Sequence, residues 1–348
     1  MNPHKIIVRA PNWIGDAVLA VPALKAVRER SPDSEITLLV RPWVEGLFRS
    51  APFVDTVWSR PSPGALRWIA TAREIRHRRF DLAILLTNSF ESALTVFAAG
   101  VPRRAGYLTD RRGPLLNAAI PLPGTRIHQT QYYLQLIEAC LGGGPEPGID
   151  MHVTHTGLAS AVQLLDGHGI DTRDRLLILS PGAAFGSAKR WNEERFAALG
   201  DRLCRELGFR AAIIGSPSEQ ALCARISAQM SEPVTQLAGS TDLETLSGVL
   251  ARADLVVTND SGPMHMAAAL GTPTLGIFGS TDAEVTGPVG SRSQVVRNPV
   301  DCSPCLLREC PIDHPCMEGL TVDQAFEAGR ALLHASQGGT SLPKPTYG

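Results

Sequence analysis

Three segments of the sequence place small and polar residues where a strand is expected to end and a helix to begin. Residues 9–16 follow an apolar run and finish on a glycine and an aspartate. Residues 180–191 contain two glycines and a lysine, and residues 258–265 group an asparagine, an aspartate and a serine. Open α/β sheets bind ligands at the carboxyl ends of their strands. We therefore expect these three segments to form a binding or catalytic site.

Each segment supplies a different chemical group. Asp16 falls in the expected first helical turn, where a carboxylate either complements the helix dipole or acts as a general base. Lys189 adds a positive charge to its loop, which is either a phosphate-binding loop or a tight connection with an exposed lysine. The spacing there matches neither a Walker A loop nor a dinucleotide fingerprint. Asp260 and Ser261 either cap the next helix or contact a ligand, and Gly262 leaves free N–H donors at its start.

Four of the seven cysteines fall within fifteen residues near the end of the chain. They are Cys302, Cys305, Cys310 and Cys316. Four cysteines can hold structural zinc, although these gaps do not form the usual paired knuckles. In a reducing compartment the alternatives are a redox-sensitive disulfide or a group of free thiols.

Short apolar runs alternate with helical patterns along the whole chain. We expect strands at residues 5–10, 35–40, 56–58, 82–86, 176–180, 211–215, 255–258 and 274–278. We expect helices near residues 15–30, 64–78, 89–99, 192–207, 217–229, 242–251 and 263–270. The run Leu-Leu-Ile-Leu at 176–179 does not alternate with polar residues, as is typical of parallel strands covered on both faces. The pattern predicts an α/β protein with two doubly wound, Rossmann-like parallel-sheet domains that face a cleft.

The length of 348 residues corresponds to about two domains. We place the boundary in the glycine-containing stretch at 167–174, which gives domains 1–172 and 173–335 and a flexible tail at 336–348. The Gly- and Pro-rich run at 142–148 is an alternative boundary. The sequence contains no apolar run long enough to cross a membrane, and its first residues lack the pattern of a signal peptide. We therefore expect a cytoplasmic protein.

The charge is balanced overall but unevenly distributed. The net charge of −1 argues against nucleic acid as a partner, because polyanion binders carry a basic excess. Residues 1–172 hold 18 basic and 15 acidic side chains, whereas residues 173–348 hold 15 and 19. Grouped arginines account for much of the positive charge: Arg73, Arg76, Arg78, Arg79, Arg103, Arg104, Arg111 and Arg112. These arginines either form a solvated surface or meet an anionic partner or membrane.

Four segments, taken in order, resemble the family-nine glycosyltransferases known as lipopolysaccharide heptosyltransferases. They are residues 9–22 (RAPNWIGDAVLAVP), 181–191 (PGAAFGSAKRW), 259–265 (NDSGPMH) and 278–288 (FGSTDAEVTGP). The resemblance runs from about residue 5 to residue 330, and the motifs and the cysteine segment are most similar to the heptosyltransferase II branch. It implies a GT-B architecture, with an acceptor-binding domain followed by a donor-binding domain.

The resemblance also implies an activity. Enzymes of this family are inverting transferases that move L-glycero-D-manno-heptose from ADP-heptose to the lipid A inner core, without a metal or other cofactor. In the heptosyltransferase II branch the acceptor is the heptosyl-Kdo core. The acceptor implies peripheral contact with the anionic cytoplasmic face of the inner membrane. The alternatives are heptosyltransferase I or III, another GT-B nucleotide-sugar enzyme, or a sugar-nucleotide-binding module without catalysis.

The resemblance assigns residues to these roles. The catalytic aspartate of the family matches Asp16. The donor-binding residues match Lys189, Glu219, Asp260, Ser261, Gly262 and His265. From the sequence pattern alone, the polar loop residues Asn88, Ser89 and His128 are further candidates, and we expect them to contact acceptor sugars.

Overall fold

The computed structural model describes residues 3–60 and 67–338. The chain divides into two compact units, Met1–Ile149 (unit 1) and Asp150–Gly348 (unit 2). In the described residues each unit contains a six-stranded parallel sheet with flanking helices. The predicted pair of doubly wound parallel sheets is thus confirmed.

In unit 1 the strand order is β3-β2-β1-β4-β5-β6. The elements, in chain order, are β1 (Lys5–Arg9), α1 (Ile14–Leu19), α2 (Val21–Arg30), β2 (Glu35–Val40), α3 (Pro42–Glu45), β3 (Thr56–Ser59), α4 (Arg67–Arg78), β4 (Leu82–Leu85), α5 (Phe90–Ala98), β5 (Arg103–Tyr107), β6 (Ala118–Ile120) and α6 (Gln129–Leu141). The central strand β1 is apolar in its middle three residues, all of which are buried. Its carboxyl end leads directly into the segment that carries Asp16.

In unit 2 the strand order is β12-β11-β10-β7-β8-β9. The elements are α7 (His155–Asp166), β7 (Arg175–Ser180), α8 (Glu193–Leu207), β8 (Phe209–Ile213), α9 (Gln220–Gln229), β9 (Val234–Gln236), α10 (Leu243–Arg252), β10 (Leu255–Asn259), α11 (Gly262–Ala269), β11 (Thr274–Phe278), α12 (Ala283–Thr286), β12 (Ser293–Arg297), α13 (Pro315–Glu318) and α14 (Val322–Gly338). The inner strands β7, β10 and β11 are almost wholly buried, as their continuous apolar runs predict.

The division between the units differs from the boundary expected at 172/173 and falls directly after the alternative run at 142–148. Helix α7 belongs to unit 2 because it packs against α10. The Thr154 hydroxyl, which caps α7, donates to the Glu244 carboxylate on α10 at 2.5 Å. The backbone N–H of Met151 donates to the carbonyl of Ala269 at 2.9 Å. The glycine-containing stretch at 167–174 is therefore the connection between α7 and β7, within one unit.

The described residues extend to Gly338, so residues 336–338 of the expected tail form the last turn of α14. The remainder of that tail, residues 339–348, and residues 64–66 of the helix expected at 64–78 lie outside the described residues. Within the described ranges, no helix combines the length and the apolar character needed to cross a membrane.

Three of the grouped arginines have structural roles that the sequence does not reveal. Arg112 is fully buried, and its guanidinium donates to the carbonyls of Tyr107 and Thr87. Arg103 and Arg104 belong to β5 rather than to a loop, and their side chains donate to backbone carbonyls of neighbouring segments. The expectation that Arg112 meets a membrane surface is therefore wrong, because its charge is enclosed by the fold.

The structural division makes the charge asymmetry larger than the sequence boundary suggests. Unit 1 holds 18 basic and 12 acidic side chains, a net charge of +6, and unit 2 holds 15 and 22, a net charge of −7. On α4 of unit 1, Arg73 and Arg76 are exposed one turn apart, and Arg79 is exposed just beyond the helix.

Candidate active site

The carboxyl ends of four neighbouring strands in unit 2 converge on one group of side chains. The strands are β8, β7, β10 and β11, in that spatial order. Lys189 follows β7, Glu219 follows β8, Asp260 follows β10 and Thr281 follows β11. This edge is the ligand-binding edge of an open parallel sheet. The structure therefore brings together residues that are up to 92 positions apart in the sequence.

Asp260 lies at the centre of this group. Its Oδ2 accepts a hydrogen bond from Lys189 Nζ at 2.5 Å and another from the Thr281 hydroxyl at 2.6 Å. Its Oδ1 lies 3.8 Å from His265 Nε2. Lys189 is only 14% exposed, so it is not the exposed surface lysine of the alternative interpretation. The ion pair fixes the ammonium group in one place at the sheet edge.

The loop that carries Lys189 is tied to β10 by Asn259, which is fully buried. The Asn259 amide nitrogen donates to the carbonyl of Pro181 at 2.7 Å. The Asn259 side-chain oxygen accepts the backbone N–H of Trp191 at 3.1 Å. Both ends of the loop are therefore held against β10. A single buried amide thus holds both ends of the loop.

Ser261 and Gly262 mark the start of α11. Ser261 is the N-cap residue, although its side chain makes no capping hydrogen bond and instead pairs with the Thr258 hydroxyl at 3.0 Å. The first N–H groups of an α-helix have no partner within the helix and carry partial positive charge. The start of α11 can therefore stabilise an anion that approaches Asp260 and Lys189.

Glu219 reaches the same edge from the loop after β8. Its Oε2 accepts hydrogen bonds from the backbone N–H and the hydroxyl of Ser216, both at 2.8 Å. A Cβ atom at Gly182 would lie 2.1 Å from Glu219 Oε1, so the carboxylate sits directly against the Lys189 loop. A side chain at position 182 would displace the Glu219 carboxylate from this place.

The cysteine segment packs onto the loops of this site, which sequence reasoning missed. The backbone N–H of Ala188 donates to the carbonyl of Arg308 at 3.0 Å, and His314 Nε2 lies 2.9 Å from the carbonyl of Ala188. The contact is so close that a Cβ at Gly186 would lie 2.1 Å from the Arg308 carbonyl oxygen. The Phe185 ring has the cations of Lys189 and Arg308 each 5.0 Å from its centre. The segment therefore supports the Lys189 loop.

The four clustered cysteines are free thiols. Cys302 and Cys305 are exposed, and Cys316 is buried. Burial raises the pKa of Cys316, and charge on the other three thiols acts in the same direction. Across residues 3–60 and 67–338, no three His, Cys, Asp or Glu side chains are arranged to hold a metal ion.

Asp16 lies in unit 1, in the first turn of α1, and is partly exposed. It sits near Tyr133 on α6, a buried residue whose pKa is raised first by burial and then by the charge of Asp16. Tyr133 therefore keeps its proton beside the carboxylate. This neighbour is not apparent from the sequence, because nearly 120 residues separate the two.

Hydrogen bonds from two arginines and a tryptophan hold the loop between β1 and Asp16. The Oδ1 of Asn12 accepts from Arg9 at 2.6 Å and from Arg41 Nε at 3.2 Å. The indole N–H of Trp43 donates to the carbonyl of Asn12 at 2.7 Å. These hydrogen bonds fix the course of the loop that leads to Asp16, four residues beyond Asn12.

The three candidate acceptor residues lie in unit 1 and have local structural partners. Ser89 caps α5, where its hydroxyl accepts the N–H of Ser92, and His128 caps α6, where its Nδ1 accepts the N–H of Thr130. The Asn88 amide donates to the hydroxyl of Tyr132 at 2.9 Å. The proposed contact with acceptor sugars stays a prediction for all three.

Comparison with known proteins is consistent with this geometry. The sequence profile of glycosyltransferase family 9 (heptosyltransferase) matches residues 68–315. Lipopolysaccharide heptosyltransferase 2 of Escherichia coli K12 is 29% identical over 313 residues, which is 84% of this chain and 88% of that protein. Lipooligosaccharide heptosyltransferase 2 of Haemophilus ducreyi is 30% identical with the same coverage. The solved structure of E. coli ADP-heptose lps heptosyltransferase II aligns with a TM-score of 0.82 at 25% identity, covering 96% of this chain and 99% of that one.

Proposed function

The chain belongs to glycosyltransferase family 9, the heptosyltransferases, and we propose that it is a heptosyltransferase II of lipopolysaccharide biosynthesis. It moves L-glycero-D-manno-heptose from ADP-heptose onto the heptosyl-Kdo inner core of lipid A. The convergence of Lys189, Asp260 and Thr281 at the carboxyl edge of the second sheet carries this proposal. The two curated relatives above, both named heptosyltransferase 2, support this branch over heptosyltransferases I and III.

Unit 2 binds the donor in this proposal. The diphosphate of ADP-heptose lies against the start of α11 and Lys189, and the adenosine side approaches Glu219. As the bond from the anomeric carbon to the diphosphate breaks, the leaving ADP takes the electron pair and gains negative charge. Fixed positive groups stabilise such developing charge without having to reorganise. Lys189 and the N–H groups of α11 supply that charge from the chain itself, so the mechanism requires no metal or other cofactor.

Unit 1 binds the acceptor and supplies the base. Asp16 accepts the proton of the acceptor hydroxyl as its oxygen bonds to the anomeric carbon, on the face opposite the leaving ADP, which inverts the configuration. A carboxylate is a weak base, and the partial positive charge at the start of α1 favours its ionised form. A weak base suffices because the hydroxyl becomes more acidic as it bonds to the electron-deficient carbon.

Nucleotide selectivity tests the donor assignment. We expect ADP at about 100 times its Kd to raise the free energy of unfolding by about 2.7 kcal/mol. A ligand that binds only the folded state shifts the unfolding equilibrium toward that state. For a protein of this size, with an unfolding entropy of about 2.1 cal/mol/K per residue, this stabilisation raises Tm by roughly 4 °C. UDP at the same concentration should raise Tm much less. Equal or greater stabilisation by UDP would contradict an adenine-linked donor.

The acceptor places the enzyme at the cytoplasmic face of the inner membrane, and the exposed arginines of unit 1 are the contact that we propose. Arg73, Arg76 and Arg79 are exposed together on or beside α4. Each basic group near an anionic surface contributes about 1 kcal/mol, and salt screens the attraction beyond roughly 8–10 Å.

Charge reversal tests this contact. We expect the triple variant Arg73→Glu, Arg76→Glu, Arg79→Glu to bind anionic liposomes roughly 100-fold more weakly than the native protein, measured by co-sedimentation at low salt. The matched control reverses three exposed arginines of unit 2, at positions 205, 225 and 330. It changes the net charge equally but should keep native binding. Equal losses in both variants would show that net charge, not this surface, determines binding.

A further inference from the structure

An arginine lies at or directly after the carboxyl end of each of three neighbouring strands in unit 1. Arg9 is the last residue of β1, Arg41 directly follows β2 and Arg60 directly follows β3. The three strands are adjacent in the sheet, and all three arginines line one pocket of about 300 Å³. That volume is at the lower end of the range for small-molecule sites. None of the residues assigned above to donor or acceptor lies among the residues that line it.

The remaining walls of the pocket are mostly apolar. The sheet contributes Ile7, Leu39 and Leu85, and α4 contributes Trp68 and Ile75. An apolar wall with a few converging charged groups is the usual composition of a small-molecule site. The tryptophan adds a flat apolar surface against which the C–H face of a sugar ring can pack.

Three arginines and two glutamates, Glu74 and Glu91, line the pocket, so positive charge is in excess there by one. Glu74 accepts hydrogen bonds from both Arg60 and Arg78, so two cations share its charge. Within residues 3–60 and 67–338, the hydrogen bonds of the Arg9 side chain go to neutral oxygens, those of Ala10, Leu39 and Asn12, at 2.6–3.1 Å.

The effect of neighbouring charges on Arg9 agrees with this excess of positive charge. Burial lowers the pKa of Arg9 to about 10, and the charge of Arg41 acts in the same direction against a smaller opposing effect of Glu91. Arg9 remains protonated at neutral pH. A bound anion would relieve the repulsion between Arg9 and Arg41, whereas a neutral ligand would not.

We propose that this arginine pocket binds an anionic group of the sugar acceptor, a carboxylate or a phosphate. The inference rests on the proposed function, which assigns the acceptor to unit 1. Guanidinium groups pair with carboxylates and phosphates through two parallel N–H···O bonds. Asn12 bonds both Arg9 and Arg41, and its loop leads to Asp16. An acceptor held by its anionic group in the pocket is therefore held next to the segment that carries the base.

Direct binding to the full-length protein, without donor, tests the pocket. The probes are 3-deoxy-D-manno-octulosonic acid, a sugar carboxylate, and mannose 6-phosphate, a sugar phosphate, with neutral mannose for comparison. Titration calorimetry gives each Kd. We expect at least one anionic probe to bind more tightly than mannose, and the one that does so identifies carboxylate or phosphate as the group recognised.

Two variants and one control connect that binding to the arginines. We expect Arg41→Gln and Arg60→Gln each to weaken binding of the anionic probe about 10-fold or more, because each removes a charge-assisted pair. Arg49→Gln makes the same change of charge at an exposed position outside the pocket and should leave the Kd unchanged. Thermal melting confirms that each variant is folded. Native affinity in both pocket variants, or no preference for either anionic probe over mannose, would overturn the proposal.

Kinetics separate this inference from the proposed function. With ADP-heptose and the anionic acceptor, the two pocket variants should raise the KM for acceptor and leave the KM for donor unchanged. A role confined to holding the Asp16 loop would instead lower kcat at an unchanged acceptor KM. If the protein binds the anionic probe through these arginines but transfers no heptose, the proposed function fails and the pocket stands. If it transfers heptose with an unchanged acceptor KM in both variants, the pocket proposal alone fails.

Discussion

Asp16→Asn should abolish heptose transfer while it leaves ADP binding within a few-fold of the native value. The substitution keeps the shape of the side chain but removes the proton acceptor, and general-base catalysis contributes about 10²–10⁴-fold. Asp16 lies in unit 1, whereas the proposed donor contacts lie in unit 2. Turnover should therefore fall without loss of the nucleotide. Single-turnover rates and calorimetric titration with ADP measure the two effects separately.

The matched control for this prediction is Asp33→Asn, which makes the same change at an exposed position of unit 1. It should retain native kinetics. If Asp16→Asn kept more than about a tenth of native turnover, Asp16 could not be the general base.

Lys189→Ala should raise the KM for ADP-heptose and lower kcat together. A cation that contacts the diphosphate acts in binding and again on the leaving group, and the loss of one such group typically costs about 10²–10³-fold in kcat. The KM for the acceptor should not change. Initial rates with each substrate varied in turn test both parts of the expectation.

The Lys189 variant also leaves Asp260 buried without its cation, so some loss of stability is expected. Rates are therefore divided by the fraction of folded protein at the assay temperature, which thermal melting measures. Lys25→Ala is a matched truncation at a lysine of unit 1 that bonds the carbonyl of Gly148. Kinetics of Lys189→Ala that match those of Lys25→Ala would show that Lys189 has only a structural role.

The inner strands of both sheets, apart from β5, were predictable because burial on both faces requires continuous apolar runs. The outer strands β9 and β12 were missed, since they are short or only partly buried and lack such runs. Strand β5 was missed for another reason. It begins with Arg103 and Arg104, whose charges are typical of a loop but whose side chains donate to backbone carbonyls.

The position of the candidate site was predictable, but its internal contacts were not. The rule that ligands bind at the carboxyl ends of strands identified the segments of Asp16, Lys189 and Asp260. That Lys189 pairs with Asp260 depends on the strand order β7-β10, which no local pattern encodes. The same holds for Thr281, and for the cysteine segment packed on Gly186.

The arginine pocket, too, could not be predicted from local sequence patterns. In the sequence Arg9, Arg41 and Arg60 are isolated residues, each at the end of a different strand. Only the order β3-β2-β1 brings them to one pocket. The exposed arginine groups are more conspicuous in the sequence, yet Arg112 is buried and bonds the backbone.

Heptose transfer to defined acceptors tests the central claim most directly. The purified protein is incubated with ADP-heptose and, separately, with lipid A core acceptors that carry Kdo only, Kdo with one heptose, or Kdo with two heptoses. Mass spectrometry follows the addition of one heptose residue. A heptosyltransferase II should extend the acceptor with one heptose and leave the other two unchanged. Transfer to the Kdo-only or two-heptose acceptor in preference, or no transfer to any of them, would contradict the account.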